Sequence, residues 1–285
     1  MGSRFLVVAL LLSPVMAIGC DAPGKSQPAP IDVPATKPVE KSTQTTSKNT
    51  TDLPEEKPAK VIDSKKTPFN KKGTLLLETL PDGKRRVLVQ TSVCYREGPL
   101  ELLMCKYSSK EHESILHGDV DAQDIHTTLM VANATPGSPV SYKEQPDKTF
   151  KVIPPTGTKI KVLLQYEKKP GELVTVNARE WIRDVKTQKE LAHDWVFAGS
   201  VLYKDPDDPT KKPTYLATGS GDYISVSNFS DSLLDLPIES TKDNSDLAFE
   251  CWTDRIPALG TKVTMILEPV PDAKNDAKEK KEEKK

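Results

Sequence analysis

The chain has 285 residues, 36% of them hydrophobic and 6% aromatic, with 24 prolines and 14 glycines. That length and make-up predict one large domain with low-complexity flanks, and they exclude a collagen, a coiled coil and a polytopic membrane protein. Lys and Arg number 40 against 41 Asp and Glu, a net of -1; gripping duplex phosphates needs a basic excess, so nucleic acid is not an expected partner.

At the amino end an apolar run, Phe5 to Leu12, follows Arg4, and Ala17-Ile18-Gly19 leads into Cys20. Residues 1–19 read as a secretory signal with a lipobox-like end, leaving Cys20 as the first mature residue with diacylglycerol on its thiol. The expected location is extracytoplasmic, on the periplasmic side of the cell envelope, with Cys20 as membrane anchor. Ordinary cleavage after Ala17 is the alternative and would give a secreted, soluble protein. Residues 20–72 form a Pro/Thr/Lys-rich linker, with eight prolines between Asp21 and Lys72 and Phe69 as its one aromatic residue. Such a segment buries too little apolar surface to offset the entropy of ordering. Residues 271–285 form a charged tail of similar character.

Between them, residues 73–270 are expected to form the folded domain. β-branched apolar runs recur at Thr74–Leu80, Arg86–Tyr95, Leu100–Tyr107, Ser114–His117, Thr149–Ile153, Lys159–Tyr166, Leu173–Asn177, Val196–Tyr203, Tyr223–Val226, Leu247–Trp252 and Lys262–Leu267. Turn residues such as Pro81-Asp82-Gly83 and Pro136-Gly137 separate many of them. Ala122, Ile125, Leu129 and Ala132 follow helical spacing, with Asp119 or Asp121 as cap and Asn133 as stop, so the single expected helix is 121–133. The expected class is α+β and β-rich, with antiparallel sheets arranged as a sandwich or an open barrel. The domain carries 23 basic and 29 acidic side chains, a net of -6, against 10 and 7 for residues 21–72.

Cys94 and Cys105 flank the Gly98-Pro99 break. A hairpin turning there would bring them opposite each other and allow a disulfide, with two buried thiols or a redox pair as the alternatives. Cys251 reads as core filling. In His112-Glu113-Ser114-Ile115-Leu116-His117 the histidines are five apart, where the zinc-protease motif needs four. Neither helix nor strand lets that offset chelate one ion unaided, so His112 and His117 remain metal candidates only through distant ligands. Gly219-Ser220-Gly221 lacks the leading glycine of a nucleophile elbow, and no phosphate-cradling loop or dinucleotide fingerprint occurs, so no cofactor is expected.

Four phrases together carry a family likeness: Arg96-Glu97-Gly98-Pro99-Leu100-Glu101, Lys110-Glu111-His112-Glu113-Ser114-Ile115-Leu116, Trp195-Val196-Phe197-Ala198-Gly199-Ser200 and Gly221-Asp222-Tyr223-Ile224-Ser225-Val226-Ser227-Asn228-Phe229. Over about residues 73–268 the chain resembles the YdjY-domain family, which includes many signal-bearing proteins of planctomycete-type bacteria. The resemblance implies an extracytoplasmic domain without an established activity. Some relatives carry ferredoxin-like descriptions, but this chain has no CxxCxxC run to hold a cluster. The resemblance directs attention to His112, Glu113, Asp222 and Asn228.

The function expected from the sequence is a membrane-tethered lipoprotein whose domain binds or assembles with another envelope component without catalysis. The first alternative is an enzyme or metal-dependent site around His112, Glu113 and Asp222. The second is thiol–disulfide exchange through Cys94 and Cys105.

Overall fold

The computed structural model of the chain describes residues 64–240 and 248–271. The signal segment, Cys20, the linker up to residue 63 and the tail from residue 272 lie outside the described residues. Among the described residues no helix is long and apolar enough to cross a membrane.

In chain order the strands are β1 (Lys65–Pro68), β2 (Leu75–Thr79), β3 (Arg85–Val93), β4 (Leu102–Lys106) and β5 (Ser114–Gly118). The helix α1 (Ala122–Val131) follows, then β6 (Ser141–Glu144), β7 (Phe150–Ile153), β8 (Lys159–Lys169), β9 (Glu172–Asn177), β10 (Ile182–Asp184) and β11 (Trp195–Val196). The last elements are β12 (Leu202–Tyr203), β13 (Thr214–Tyr215), the short helix α2 (Leu216–Ser220), β14 (Asp222–Ser225), β15 (Phe249–Cys251) and β16 (Lys262–Val270). The fold is α+β and strand-rich, as the β-branched apolar runs predict.

Among the described residues the main sheet has ten strands and does not close into a barrel; seven follow the order β11-β8-β16-β3-β5-β4-β14, while β9 pairs with β8 and β1 with β2, which pairs with β3. β2 and β5 sit one after the other along the same edge of β3, pairing with residues 85–89 and 92–93. All its pairings are antiparallel except one: β4 and β5 run parallel, with Leu102 opposite Ser114 and Lys106 opposite Gly118. Three two-stranded sheets, β10-β15, β12-β13 and β6-β7, complete the set.

α1 is where the 3.6-residue spacing places it. It buries Ala122, Ile125, Thr128 and Leu129, and Asp121 caps it by accepting from the Gln123 amide at 2.7 Å. Asn133, at φ 68°, takes the left-handed conformation that ends the turn. Trp181, Trp195, Phe197 and Tyr223 are the largest core side chains, each at most 1% exposed. Trp195 and Tyr223 place their polar tips on main-chain carbonyls, Trp195 Nε1 to Ser225 at 2.8 Å and Tyr223 OH to Val120 at 2.7 Å.

One boundary and one strand pairing need correction. The domain begins before residue 73: β1 pairs with β2 over Lys65–Pro68 inside the expected linker. All four of its residues are exposed, so no apolar alternation marks it. The hairpin that was to join Cys94 to Cys105 does not form either, because β5 inserts between β3 and β4.

Gly221 permits a close approach of Ser109. At φ 85° it caps α2, and a Cβ there would lie 2.5 Å from Ser109 Oγ and 2.9 Å from Ser109 Cβ. Gly221→Ala is therefore expected to lower stability by about 2 kcal/mol or more through left-handed strain and overpacking. Equilibrium urea unfolding of the two proteins checks this.

Candidate functional site

β4 and β5 are parallel neighbours, yet only residues 107–113 join them. Parallel crossovers usually take a dozen residues or more. The register offset obliges this one to travel back about 13 Å, four strand rises, before β5 starts. The connection is thus a strap lying along the strands, and its polar side chains fall beside strand residues. A continuation of the ladder and two turns hold it: the Tyr107 amide donates to Gly118 O at 3.0 Å, the Ser109 amide to Lys106 O at 3.2 Å and the Glu113 amide to Lys110 O at 3.3 Å.

On one set of contacts, Lys110 is surrounded by carboxylates. Its Nζ stands 2.7 Å from Asp222 Oδ1 and 3.8 Å from Glu113 Oε1, and 4.5 Å from the centre of the Phe229 ring. Glu101, one residue before β4 and only 7% exposed, hydrogen-bonds Glu113. Burial first, then the charge and hydrogen bond of Glu113, push the Glu101 carboxyl up to about 7. Burial also raises Asp222, against the pull of Lys110. For Lys110 itself burial opposes the charge, but the bond and charge of Asp222, with Glu113 and Glu101, outweigh it and hold the ammonium above its ordinary range.

The other set of contacts centres on His117, in the register row that joins Ser92 of β3 and Cys105 of β4 across β5. Its Nδ1 lies 2.6 Å from Glu111 Oε1, and its Nε2 lies 2.8 Å from Ser92 Oγ. Glu111 also accepts from the Ser108 amide at 2.8 Å, and that bond, with His117, lowers its pKa. Tyr107 packs edge-on against the imidazole, ring centres 5.0 Å apart.

Cys94, Cys105 and Cys251 are free thiols, which corrects the expected Cys94–Cys105 disulfide. The physical reason is the inserted strand: the two cysteines belong to no common hairpin. Cys94 is held far above its usual pKa by neighbouring Cys105 and by burial, while Cys105 is lowered chiefly by Cys94. Cys94 also donates to Ser114 O at 3.0 Å. Burial pushes Cys251 up to about 12, so it is an inert core thiol.

Of the residues singled out by sequence, Glu113 and Asp222 converge on Lys110. His112 stays at the rim, its side chain 78% exposed and 3.7 Å from Glu113. His117 belongs to the neighbouring cluster and shares no ion site with His112; among the described residues no group of three or more His, Cys, Asp or Glu is placed to hold a metal ion. Asn228 is fully buried and organises its own loop, donating to Asp235 Oδ1 at 3.2 Å and Leu236 O at 3.1 Å and accepting from the Ser240 amide at 2.6 Å. Sequence reasoning missed Glu101, Lys110, Ser92 and Glu111. A groove of about 520 Å³ lies between Phe69–Lys72 and Asp119–Asp121, and Lys72 and Asp119 close an ion pair across it at 2.6 Å.

The sequence model of the YdjY domain matches residues 81–268. The chain belongs to that family. No curated protein and no solved structure matches it.

Two outcomes follow from the carboxylate cluster. Lys110→Met leaves Asp222, with 4% of its side chain exposed, without its cation, and unfolding free energy is expected to fall by about 3 kcal/mol at pH 7. Glu101 binds its proton more tightly folded than unfolded, so its contribution is full below about 4.5 and lost as pH rises through about 7. Glu101→Gln is expected to remove that part of the pH dependence. Because Asp235 is also raised to about 7 by burial, the reading is the difference between variant and wild-type denaturation curves from pH 4 to 8.

Proposed function

We propose that the chain is a lipoprotein, tethered by Cys20 outside the cytoplasm, whose YdjY domain engages another component of the envelope through the Lys110 cluster. The observation that carries this reading is the charge imbalance: Glu101, Glu113 and Asp222 face a single ammonium, beside an aromatic ring. Glu113 keeps 19% of its side chain exposed, so a second cation can reach it. Amines and guanidinium groups fit such a site, since carboxylate and ring both favour them. The net of -6 on residues 73–270 adds long-range attraction for a basic partner.

The enzyme alternative draws on one feature of the same cluster. Glu101, raised to about 7, can hold or release a proton near neutral pH while Asp222 and Lys110 stay paired. His112 is at the rim in that arrangement, and Glu101 is the proton-handling group of this reading.

Photo-crosslinking from position 112 in envelopes bearing the full-length protein tests the binding reading. An adduct is expected that weakens about tenfold with Glu113→Gln and fades at high salt, as a screened charge contact must. An adduct indifferent to both changes contradicts it. For the tether, mass spectrometry of the mature amino terminus is expected to find diacylglycerol on Cys20; an unmodified chain starting at Ile18 contradicts the lipoprotein.

A further inference from the structure

The Ser92, His117 and Glu111 contacts have the connectivity of a nucleophile, a base and an orienting acid. Glu111 is an ionised acceptor, fixed by the Ser108 amide, so the hydrogen between it and His117 sits on Nδ1. With the proton on Nδ1, a neutral ring presents Nε2 as an acceptor, and Ser92 Oγ stands 2.8 Å from it. Such a constellation is recognised by geometry and roles and recurs on unrelated folds, without any fixed sequence order. Here every member is placed by the sheet or the strap: Ser92 and His117 are cross-strand partners, and Glu111 reaches back from the short crossover. Ser92 is 8% exposed, the His117 side chain 18%, and Tyr107 at 58% offers an apolar ring at the edge of the cluster. Neither the Lys110 cluster nor the core packing uses these polar contacts.

We propose that Ser92 is an activated nucleophile for acyl transfer from carboxylic esters, with His117 as general base and Glu111 as its positioning residue. As Ser92 Oγ bonds to the ester carbonyl carbon, its proton passes to His117 Nε2. The bond to the alkoxide then breaks, and the alkoxide takes that proton and leaves as an alcohol. Water, deprotonated by the same nitrogen, attacks the acyl-serine; the carboxylic acid departs and Ser92 recovers its proton. Ester and water are the only reactants, and electrons and protons balance across the two halves.

This activity goes beyond the binding proposal and is tested without any partner, so either can fail alone. The full-length chain is treated with a small alkyl fluorophosphonate, whose phosphorus takes Oγ as fluoride leaves, and the digest is read by mass spectrometry. One adduct on the Ser92 peptide is expected, absent in Ser92→Ala. Its rate is expected to fall at least 100-fold in His117→Asn and about tenfold in Glu111→Gln. A parallel 4-nitrophenyl acetate assay is expected to release a burst of one 4-nitrophenolate per chain. Circular dichroism melts establish that each variant is folded. Folded wild-type protein that stays unlabelled at Ser92 under millimolar probe overturns the proposal, as does folded His117→Asn labelling at the wild-type rate.

Discussion

The structure around both clusters depends on one constraint, a parallel pair of neighbouring strands joined by a connection too short to hold a helix. Seven residues cannot loop away and return, so residues 107–113 run back along β4 and β5 and are held there. Their backbone turns place Lys110 against Asp222, Glu111 against His117 and Glu113 against Glu101. Gly221 contributes by having no side chain where Ser109 packs. The strap is therefore a structural staple whose fastening groups are all polar, an arrangement a purely structural loop could reach with fewer charges.

Burial gives those charges their character. Asp222 and Glu101 sit at the inner end of the Lys110 cluster, where losing water penalises their ionised forms, and Glu113 and Lys110 sit at its outer end. A single ammonium stabilises Asp222 but leaves Glu101 to share a hydrogen bond with Glu113. The His117 row has the opposite balance, with one carboxylate, fully engaged by an amide and an imidazole, orienting the ring toward a hydroxyl. Adjacent residues of one strap thus build a charge-rich site and a relay-like site side by side.

Much of the fold was legible because β-branched runs and turn residues follow directly from packing against a sheet. β3, β8 and β16 fall almost where their runs predict, and Asp121 caps the expected helix. The strands that escaped notice, β1, β6, β10 and β13, are short, and β1 and β6 are exposed along their whole length, so burial left no pattern in them. The disulfide expectation assumed that consecutive strands pair. Parallel insertion of β5 breaks that rule, and nothing in the spacing of Cys94 and Cys105 records it. Glu113 and Asp222 were found through family phrases, and Glu101 and Lys110 stand in the same phrases. Only the crossover reveals that they meet. Ser92 and His117 sit in ordinary strand sequence, where a polar residue on alternate positions usually means a solvated face.

The strap is the claim on which both sites rest, and amide hydrogen exchange measures it most directly. In the full-length protein the amides of Tyr107, Ser109 and Glu113 are expected to exchange at rates comparable to those of β4 and β5, and to quicken by tenfold or more in Lys110→Met. Exchange of those amides at the rate of an unstructured peptide in the wild-type protein would contradict the account.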